Sequence, residues 1–432
     1  MLIQFEVRRP QARKIGTAPG DMPGSIGIFT LLLVLMVLSA TAHADPAWQF
    51  ETKGMITGNV VVNQDLVLVA GGSQLYALDR QGKLFWTYEA GAPTYSTPAS
   101  SGDVIYLLAD NGLHAVDRDG KRLWQFESTD AQLEVEGATM GWGEGRFVDP
   151  WAWYRSAPLT VSGKVIFGNR NGTYAVDAKS GVQLWHANTG ITHTEPTVHE
   201  GTVAIGSWDN HLYGLKLEDG TLSWKVRSRL PEGEMAGWLG WEGFNLDPVV
   251  HEGVVYVGNR GTYFYAIDAK TGIEQWSAKH ATSWVGSPAV VSDGVIYFGM
   301  SDGYSLVGLE TQMGNQSLLF RNRFYNFARP QADKHHVFMA SLSGELFAIE
   351  KATGKGRKIF ATDASKANLP KLQSAKGGLE YLYSKEVYSH ENATRDVKRM
   401  LSELDSLLSL TLDRDTLYAG SARGILYAIP VR

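Results

Sequence analysis

The sequence of 432 residues predicts an all-β fold. We expect an eight-bladed β-propeller of four-stranded blades, closed by the N-terminal strand in the last blade. Three observations support this prediction. A strand–turn–strand motif recurs along the chain, a second pair of strands precedes its copies, and the two chain ends hold complementary pieces of one repeat. Repeats of this size, each made of short strands, are typical of propellers, in which every blade packs against the next.

The recurring motif is most complete between Phe264 and Trp276, where it reads Phe-Tyr-Ala-Ile-Asp-Ala-Lys-Thr-Gly-Ile-Glu-Gln-Trp. The alternating residues predict a strand, Asp268 can accept hydrogen bonds from the turn that follows, and Gly272 can adopt a positive φ there. Other copies end at Trp86, Trp124, Trp185 and Trp224, and degenerate copies end at Phe320 and Phe360. We expect the five tryptophans to be buried between blades as packing anchors, and we assign them no chemistry.

A second pair of short strands precedes each copy of the motif. In most repeats the first strand of the pair follows a proline, namely Pro98, Pro158, Pro196, Pro248, Pro288 or Pro330. Residues 60–70 and 410–420 fit the same frame without a proline. Two strands from this pair and two from the motif make four per repeat, and eight repeats make eight blades.

The two ends of the chain complete one repeat. Residues 47–50 read Ala-Trp-Gln-Phe and are similar to the tryptophan-bearing fourth strand of the complete copies. The last repeat has strands at about 408–413, 416–420 and 424–431 but no fourth strand. We therefore expect the strand of Trp48 to close the ring there, which removes an exposed edge.

The pattern Ala-x-Asp-x-x-Thr-Gly-x-x-x-Trp, intact from Ala266 to Trp276, resembles the tryptophan-docking repeat of the pyrroloquinoline-quinone-like (PQQ-like) β-propellers. The resemblance covers nearly all of the chain after about residue 46. That family includes quinoprotein alcohol dehydrogenases and the non-enzymatic, BamB-type subunit of the outer-membrane assembly machine, and this chain is closest in size to the latter. Because one fold hosts many functions, the resemblance implies the propeller and leaves the activity open.

We interpret residues 1–44 as a signal peptide and residues 45–432 as the propeller. The start is basic, residues 26–40 are apolar, and Ala42-His43-Ala44 forms a small-x-small cleavage site. We expect a periplasmic or secreted protein after cleavage, with an uncleaved anchor as the alternative. The sequence contains no cysteine, so we expect neither disulfides nor a lipoprotein.

The charge pattern argues against nucleic acid as a partner. The formal net charge is −5, and beyond the basic start no stretch is rich in lysine and arginine. We expect a monomer that binds a protein partner in the periplasm or at the outer membrane.

Three insertions interrupt the repeats, at about residues 128–154, 229–245 and 362–406. The first two carry the binding-face candidates Trp142, Trp151, Trp153, Arg155, Trp238 and Trp241. Both insertions join the last strand of one blade to the first strand of the next, so we expect them on the same face. They either plug the ring as a small core or form a surface for a ligand or a partner.

The third insertion is different because residues 392–408 have helical spacing. Val397, Met400, Leu401 and Leu404 form an apolar stripe among charged residues. This stripe either packs on the propeller or docks a partner.

Polar residues precede the first strand of most blades and should meet around the axis as a funnel below the aromatic loops. The funnel candidates are Glu195, Asn245, Asp247 and Arg329. Carboxylates from neighbouring blades could bind a hard cation or differ in pKa for acid–base chemistry. The resemblance to quinoproteins implies PQQ and calcium at this place as an alternative, although the cysteine pair of many alcohol-oxidising members is absent.

We interpret the chain as an exported, non-catalytic binding scaffold of the cell envelope that serves outer-membrane protein assembly. We predict no catalytic residue and no cofactor, and we leave the question of a metal open. The first alternative is a PQQ- and calcium-dependent oxidoreductase. The second is a glycan-binding protein that uses the tryptophan-rich loops.

Overall fold

A computed structural model describes residues 45–130, 132–137, 141–154, 156–229, 243–280, 283–380 and 389–431. These residues form eight four-stranded antiparallel sheets, one two-stranded hairpin and two helices. The prediction of an all-β, eight-bladed propeller is therefore confirmed.

The chain begins in the last blade with β1 (Trp48–Glu51) and then builds the ring in order. Blades 1 and 2 consist of β2 (Val61–Asn63), β3 (Leu66–Gly71), β4 (Gln74–Leu78), β5 (Leu84–Glu89), β6 (Ala99–Ser101), β7 (Val104–Ala109), β8 (Gly112–Val116) and β9 (Arg122–Glu127). A hairpin of β10 (Glu134–Glu136) and β11 (Arg146–Val148) follows. Blades 3 and 4 consist of β12 (Leu159–Val161), β13 (Lys164–Asn169), β14 (Gly172–Asp177), β15 (Gln183–Ala187), β16 (Thr197–His199), β17 (Thr202–Gly206), β18 (His211–Lys216) and β19 (Leu222–Arg227).

The second half of the ring repeats this plan and adds two helices before the last blade. Blades 5 and 6 consist of β20 (Val249–His251), β21 (Val254–Gly258), β22 (Tyr263–Asp268), β23 (Glu274–Lys279), β24 (Val290–Ser292), β25 (Val295–Gly299), β26 (Ser305–Glu310) and β27 (Gln316–Arg321). Blade 7 consists of β28 (Gln331–Ala332), β29 (His336–Ala340), β30 (Glu345–Glu350) and β31 (Gly356–Ala361), and is followed by α1 (Asp363–Leu372) and α2 (His390–Leu404). Blade 8 takes β32 (Leu407–Asp413), β33 (Thr416–Ser421) and β34 (Ile425–Pro430).

The N-terminal strand closes the ring in blade 8. β1 pairs antiparallel with β34, so that Trp48 lies opposite Ala428 and Glu51 opposite Ile425. The predicted closure is confirmed, and it supplies the strand that blade 8 lacks.

The first strand of each blade lies nearest the axis, since the first strands of most neighbouring blades contact one another. Apolar side chains fill the space between blades. Leu68 and Leu75 of blade 1, for example, pack with Ile105 and Leu107 of blade 2, and all four are buried. The ring is therefore held mainly by burial of apolar surface between neighbouring sheets.

Each docking tryptophan ties one blade to the turn of the next. The Trp185 indole donates from Nε1 to the Leu217 carbonyl at 3.1 Å, and its ring covers Gly220. A Cβ at Gly220 would lie 2.6 Å from the indole, and its φ of +74° favours glycine in any case. The same docking joins Trp48 to Gly82, Trp86 to Gly120, Trp124 to Gly181, Trp224 to Gly272 and Trp276 to Gly314.

The burial of these rings is uneven. Trp185 and Trp224 are buried as expected, whereas Trp86, Trp124 and Trp276 are half-buried. All five lie on the outermost strand of their blade, and part of the side chain of Trp86, Trp124 and Trp276 reaches solvent there.

Helix α2 confirms the helical spacing of the third insertion. It buries Ala393, Val397, Met400, Leu401 and Leu404, and Ser389 caps its start by accepting from the Asn392 amide. The helix ends earlier than the spacing suggested because Leu407 already begins β32. Among the described residues, no helix is long and apolar enough to span a membrane.

Candidate functional site

The structure brings Glu195, Asp247 and Arg329 together at the axis. They precede the first strands of blades 4, 5 and 7. Arg329 donates from Nη2 to Glu195 Oε2 at 3.0 Å and to Asp247 Oδ2 at 2.8 Å. Because blades 4 and 7 are not neighbours, the guanidinium reaches across the channel, and the bond works as a strut.

Asp247 accepts hydrogen bonds from Glu195, from Arg329 and from Tyr154. Its side chain is only 2% exposed. Its Oδ1 accepts from the Glu195 amide at 2.7 Å, and its Oδ2 also accepts from the Tyr154 hydroxyl at 3.1 Å. Tyr154 belongs to the first insertion, so the insertion is fastened to the strut. We call Tyr154, Glu195, Asp247 and Arg329 the cross-channel cluster.

Burial governs the charges of the cross-channel cluster. It raises the pKa of Asp247 to about 6, with Arg329 opposing the rise and Glu195 adding to it. Burial and the neighbouring carboxylates also raise the pKa of Tyr154, so its hydroxyl stays neutral and donates. Burial opposes the charge of Arg329, but Glu195 and Asp247 outweigh that effect and raise its pKa. Arg329 therefore stays charged while Asp247 titrates.

A small cavity lies beside the cluster. Its volume is about 90 Å³, and Trp151, Trp153, Asn245 and Phe327 contribute to its lining together with Arg329. Asn245 Oδ1 and Arg329 Nε are buried and have no hydrogen-bond partner among the described residues. A cavity of this size has room for water, which can hydrogen-bond with both atoms.

The described tryptophans of the first insertion pack against the protein itself. Trp151 lies 6.1 Å from Trp153 between ring centroids, and Trp153 stacks on Phe327 at 5.9 Å. Both rings belong to a core that includes Met400 of α2 and Leu372 of α1. These contacts correspond to the plug interpretation of the loops.

Trp142 joins the first insertion to the third. Its ring lies 5.0 Å from His390 at the start of α2, and the His390 ring lies 4.9 Å from Phe147. His390 Nε2 is also 2.8 Å from the Val148 carbonyl. The two insertions thus meet above the channel as one lid. The other binding-face candidates, Arg155, Trp238 and Trp241, lie outside the described residues.

A buried ion pair that the sequence did not indicate holds this lid down. Arg260 donates from Nη1 to Asp149 Oδ2 at 2.6 Å, and both side chains are buried. The guanidinium lies 5.2 Å from the ring centroid of Trp208 and 4.8 Å from that of Trp284, which adds cation–π attraction. The partners are far apart in the sequence and follow no spacing rule, so no local signal pointed to them.

The sequence does not decide whether the protein binds a metal ion. Within the part of the chain that the structure describes, no three histidine, aspartate or glutamate side chains gather to hold an ion. Glu195 and Asp247 both form ion pairs with Arg329.

Comparison with known proteins agrees with this architecture. A family model described as outer membrane protein assembly factor BamB matches residues 37–149 and 174–432. The solved structure of BamB from Moraxella catarrhalis superposes with a TM-score of 0.62 at 16% identity, and the match covers 90% of this chain and 99% of that one. At that identity the superposition shows the shared fold alone.

Two curated relatives match over shorter stretches. A serine/threonine-protein kinase, AfsK of Streptomyces griseus, is 27% identical over 40% of this chain and 21% of its own length. The dehydrogenase subunit of a quinone alcohol dehydrogenase from Gluconacetobacter polyoxogenes is 26% identical over 48% of this chain and 31% of its own length. The matches therefore span less than a third of either relative.

Proposed function

The chain belongs to the family of the outer membrane protein assembly factor BamB, and on that premise we propose that it is an exported, non-catalytic β-propeller that binds other proteins as a scaffold in the cell envelope. Its proposed role is in the assembly of outer-membrane proteins, as the family description states for BamB. The protein acts by presenting surfaces of a rigid ring, and no step of bond chemistry is assigned to it.

The observation that carries this proposal is the strut across the channel. A catalytic funnel needs carboxylates that are free to bind an ion or to exchange protons with a substrate. Here Arg329 bonds to both Glu195 and Asp247, and Tyr154 bonds to Asp247 from above. Each of these four groups bonds to at least one other member, which supports a structural role for the cross-channel cluster.

The same residues fit a calcium-bound quinone poorly. The two carboxylates that could hold the ion are already compensated by Arg329, and the adjoining cavity has only about 90 Å³. Pockets for small molecules or cofactors measure about 300–1,000 Å³. We therefore place the quinone-dependent oxidoreductase second, on the partial match to the alcohol dehydrogenase subunit alone.

The glycan-binding alternative receives no support from the described aromatic rings. Stacking on a sugar needs an open ring face, and Trp142, Trp151 and Trp153 lie against the protein's own side chains. We keep this alternative only as an outcome of the experiment below.

Purification from the native host tests the proposal directly. We expect the protein to co-purify with outer-membrane proteins, to show no quinone absorption and to contain calcium far below one ion per chain. A stoichiometric quinone together with calcium would overturn the proposal in favour of the oxidoreductase. Retention on a glycan matrix without any protein partner would overturn it in favour of glycan binding.

A further inference from the structure

A second and larger recess lies between the first insertion and helix α2, next to the cavity at the cross-channel cluster, with which it shares Ala152 and Trp153. Its volume is about 580 Å³, within the range of about 300–1,000 Å³ that is typical of binding sites. Apolar side chains form much of its wall, namely Met55, Val148, Trp153, Val397, Leu401 and Ala422. We call this recess the insertion groove, because residues of both insertions line it.

The insertion groove is not required for closing the ring. Val397 and Leu401 lie on α2, Val148 and Trp153 lie in the first insertion, and only the edge formed by Met55 and Ala422 belongs to the propeller. The lid bonds between His390 and Val148 and between Arg260 and Asp149 hold its two walls in place. The groove is therefore preorganised by contacts that lie within the protein.

Among the described lining residues of the groove, the uncompensated charge is positive. Lys398 lines it, is exposed and forms no ion pair with any described residue. Arg423, also exposed, donates from Nε to the carbonyl of Ser402, another lining residue. Asp149 is the one carboxylate among the described lining residues, and it is buried and paired with Arg260. An occupant of complementary charge would carry an acidic group.

The other charged residues of α2 add no uncompensated charge to the lining of the groove. Arg395 lies 3.6 Å from the carboxylate of Asp396, and Arg399 bonds to Glu403 along the same helix. The charges of these four residues are compensated within the helix. Glu391 in its first turn is exposed but does not line the groove, whereas Lys398 lines the groove and keeps its charge free at the rim.

We propose that the insertion groove binds an extended segment of a partner protein that presents an apolar side chain beside an acidic residue. The apolar side chain enters between Trp153 and Leu401, and the acidic group lies opposite Lys398. This inference rests on the proposed scaffold function and names the surface and the chemistry of the partner. Apolar anchors in preformed pockets contribute most of the affinity at such interfaces, and rim charges add specificity.

Binding of defined peptides to the full-length protein tests the proposal. The probes are a fluorescein-labelled, N-acetylated peptide of sequence Gly-Ser-Glu-Phe-Glu-Val-Ser-Gly, a version with both Glu replaced by Lys, and a version with Phe and Val replaced by Ala. We expect saturable binding of the first peptide only, measured by fluorescence anisotropy. Equal binding of the lysine or the alanine peptide, or no saturation by the first peptide up to millimolar concentration, would overturn the proposal.

Three exposed substitutions locate the binding. Ser402→Trp fills the groove and should weaken binding of the acidic peptide at least about tenfold, as expected for a blocked anchor pocket. Lys398→Glu should weaken it about fivefold, the upper value for an exposed ion pair. Lys371→Glu, at the end of α1 and outside the groove lining, serves as the matched control and should leave binding unchanged. Binding that is unaffected by Ser402→Trp would overturn the proposal.

Co-purification separates this proposal from the scaffold function on which it rests. If wild-type protein and Ser402→Trp both retain outer-membrane proteins equally, the groove is not the binding surface and the scaffold function stands. If wild-type protein retains none, the scaffold function itself fails.

Discussion

Asp247 shows how far burial can change a single carboxyl group in this propeller. The side chain is almost fully removed from solvent, yet it accepts hydrogen bonds from the Glu195 amide, the Tyr154 hydroxyl and Arg329. Burial dominates, because it raises the pKa to about 6 in spite of the nearby guanidinium. The same group would suit acid–base catalysis in an open site, but here its partners are all protein groups.

The raised pKa makes the stability contribution of Asp247 depend on pH. The folded state binds the proton up to about pH 6, whereas the unfolded chain releases it near 3.8. Below the lower value the protonated group causes no penalty, and stability is lost as the pH rises through 6. The stability of wild-type protein relative to Asp247→Asn should therefore fall by about 2 kcal/mol between pH 4 and pH 7.

Urea unfolding of both proteins across this pH range measures the difference. Taking the difference removes the titration of the other carboxylates. A constant difference, or one that rises with pH, would contradict the assignment of the raised pKa to Asp247.

We expect Arg329 to stabilise the folded protein because it compensates the charges of Glu195 and Asp247. Arg329→Met keeps the length of the side chain but leaves Asp247 buried beside Glu195. Removing one partner of a buried ion pair costs about 3–5 kcal/mol, and the lower value is expected because the Arg329 side chain is 26% exposed. Arg118→Met breaks the exposed pair with Asp65 and should cost about 1 kcal/mol or less. If both substitutions lower the free energy of unfolding equally, the bonds of Arg329 across the channel stabilise the protein no more than an exposed ion pair does.

At the scale of the elements, the repeat motif determined most of what could be predicted. The Asp268 carboxylate accepts from the Thr271 amide at 2.8 Å, and the Trp224 indole covers Gly272, as the residue types and their spacing indicate. The funnel residues were also predicted in kind, because their position before each first strand follows from the repeat. The contact of Arg329 with Glu195 across the channel was not predicted, because a repeat pattern does not indicate the direction of a side chain.

The insertions were the least predictable elements. Their positions between the last strand of one blade and the first strand of the next predicted that both insertions lie on one face, but the sequence could not decide between a plug and an open surface. That choice depends on α2, which packs above the first insertion from a distant part of the chain. The Arg260–Asp149 pair and the Tyr154 bond were missed for the same reason, because each depends on the path of the insertion.

A docking tryptophan should contribute as a core residue. Trp185→Ala removes a buried ring and its bond to Leu217, and should cost about 3–5 kcal/mol in urea unfolding. Phe85→Ala truncates an exposed ring on the outer strand β5 and should cost about 0.5 kcal/mol or less. If both substitutions have the same effect, the docking contact is not what holds blades together.

The closing strand should stabilise the whole ring. Deleting residues 45–52 removes β1, exposes the edge of β34 and withdraws Trp48 from Gly82. We expect a lower melting temperature and concentration-dependent association through the free edge. An unchanged melting temperature in calorimetry would contradict closure by β1.

At the scale of the whole molecule, three features close the ring and connect its blades and insertions. β1 joins the ends of the chain, the cross-channel cluster connects blades 4, 5 and 7, and the two insertions meet as a lid. A small cavity lies beside the cross-channel cluster, and the larger insertion groove lies between the first insertion and α2. This arrangement suits a protein that works through its surfaces.

The central claim is that function does not depend on the chemistry of the channel. The triple variant Glu195→Gln, Asp247→Asn, Arg329→Met tests it, because replacing all charged partners together leaves no buried charge without compensation. The variant should melt within a few degrees of the wild type. Any acid–base or ion-binding capacity of these three residues would be lost.

The decisive measurement is the amount of folded outer-membrane protein in host cells that carry this variant as their only copy. We expect the wild-type amount, and a clear reduction in cells that lack the protein altogether. An amount as low as in the deleted cells, from a variant that remains folded and equally abundant, would contradict the scaffold account and assign the function to the channel.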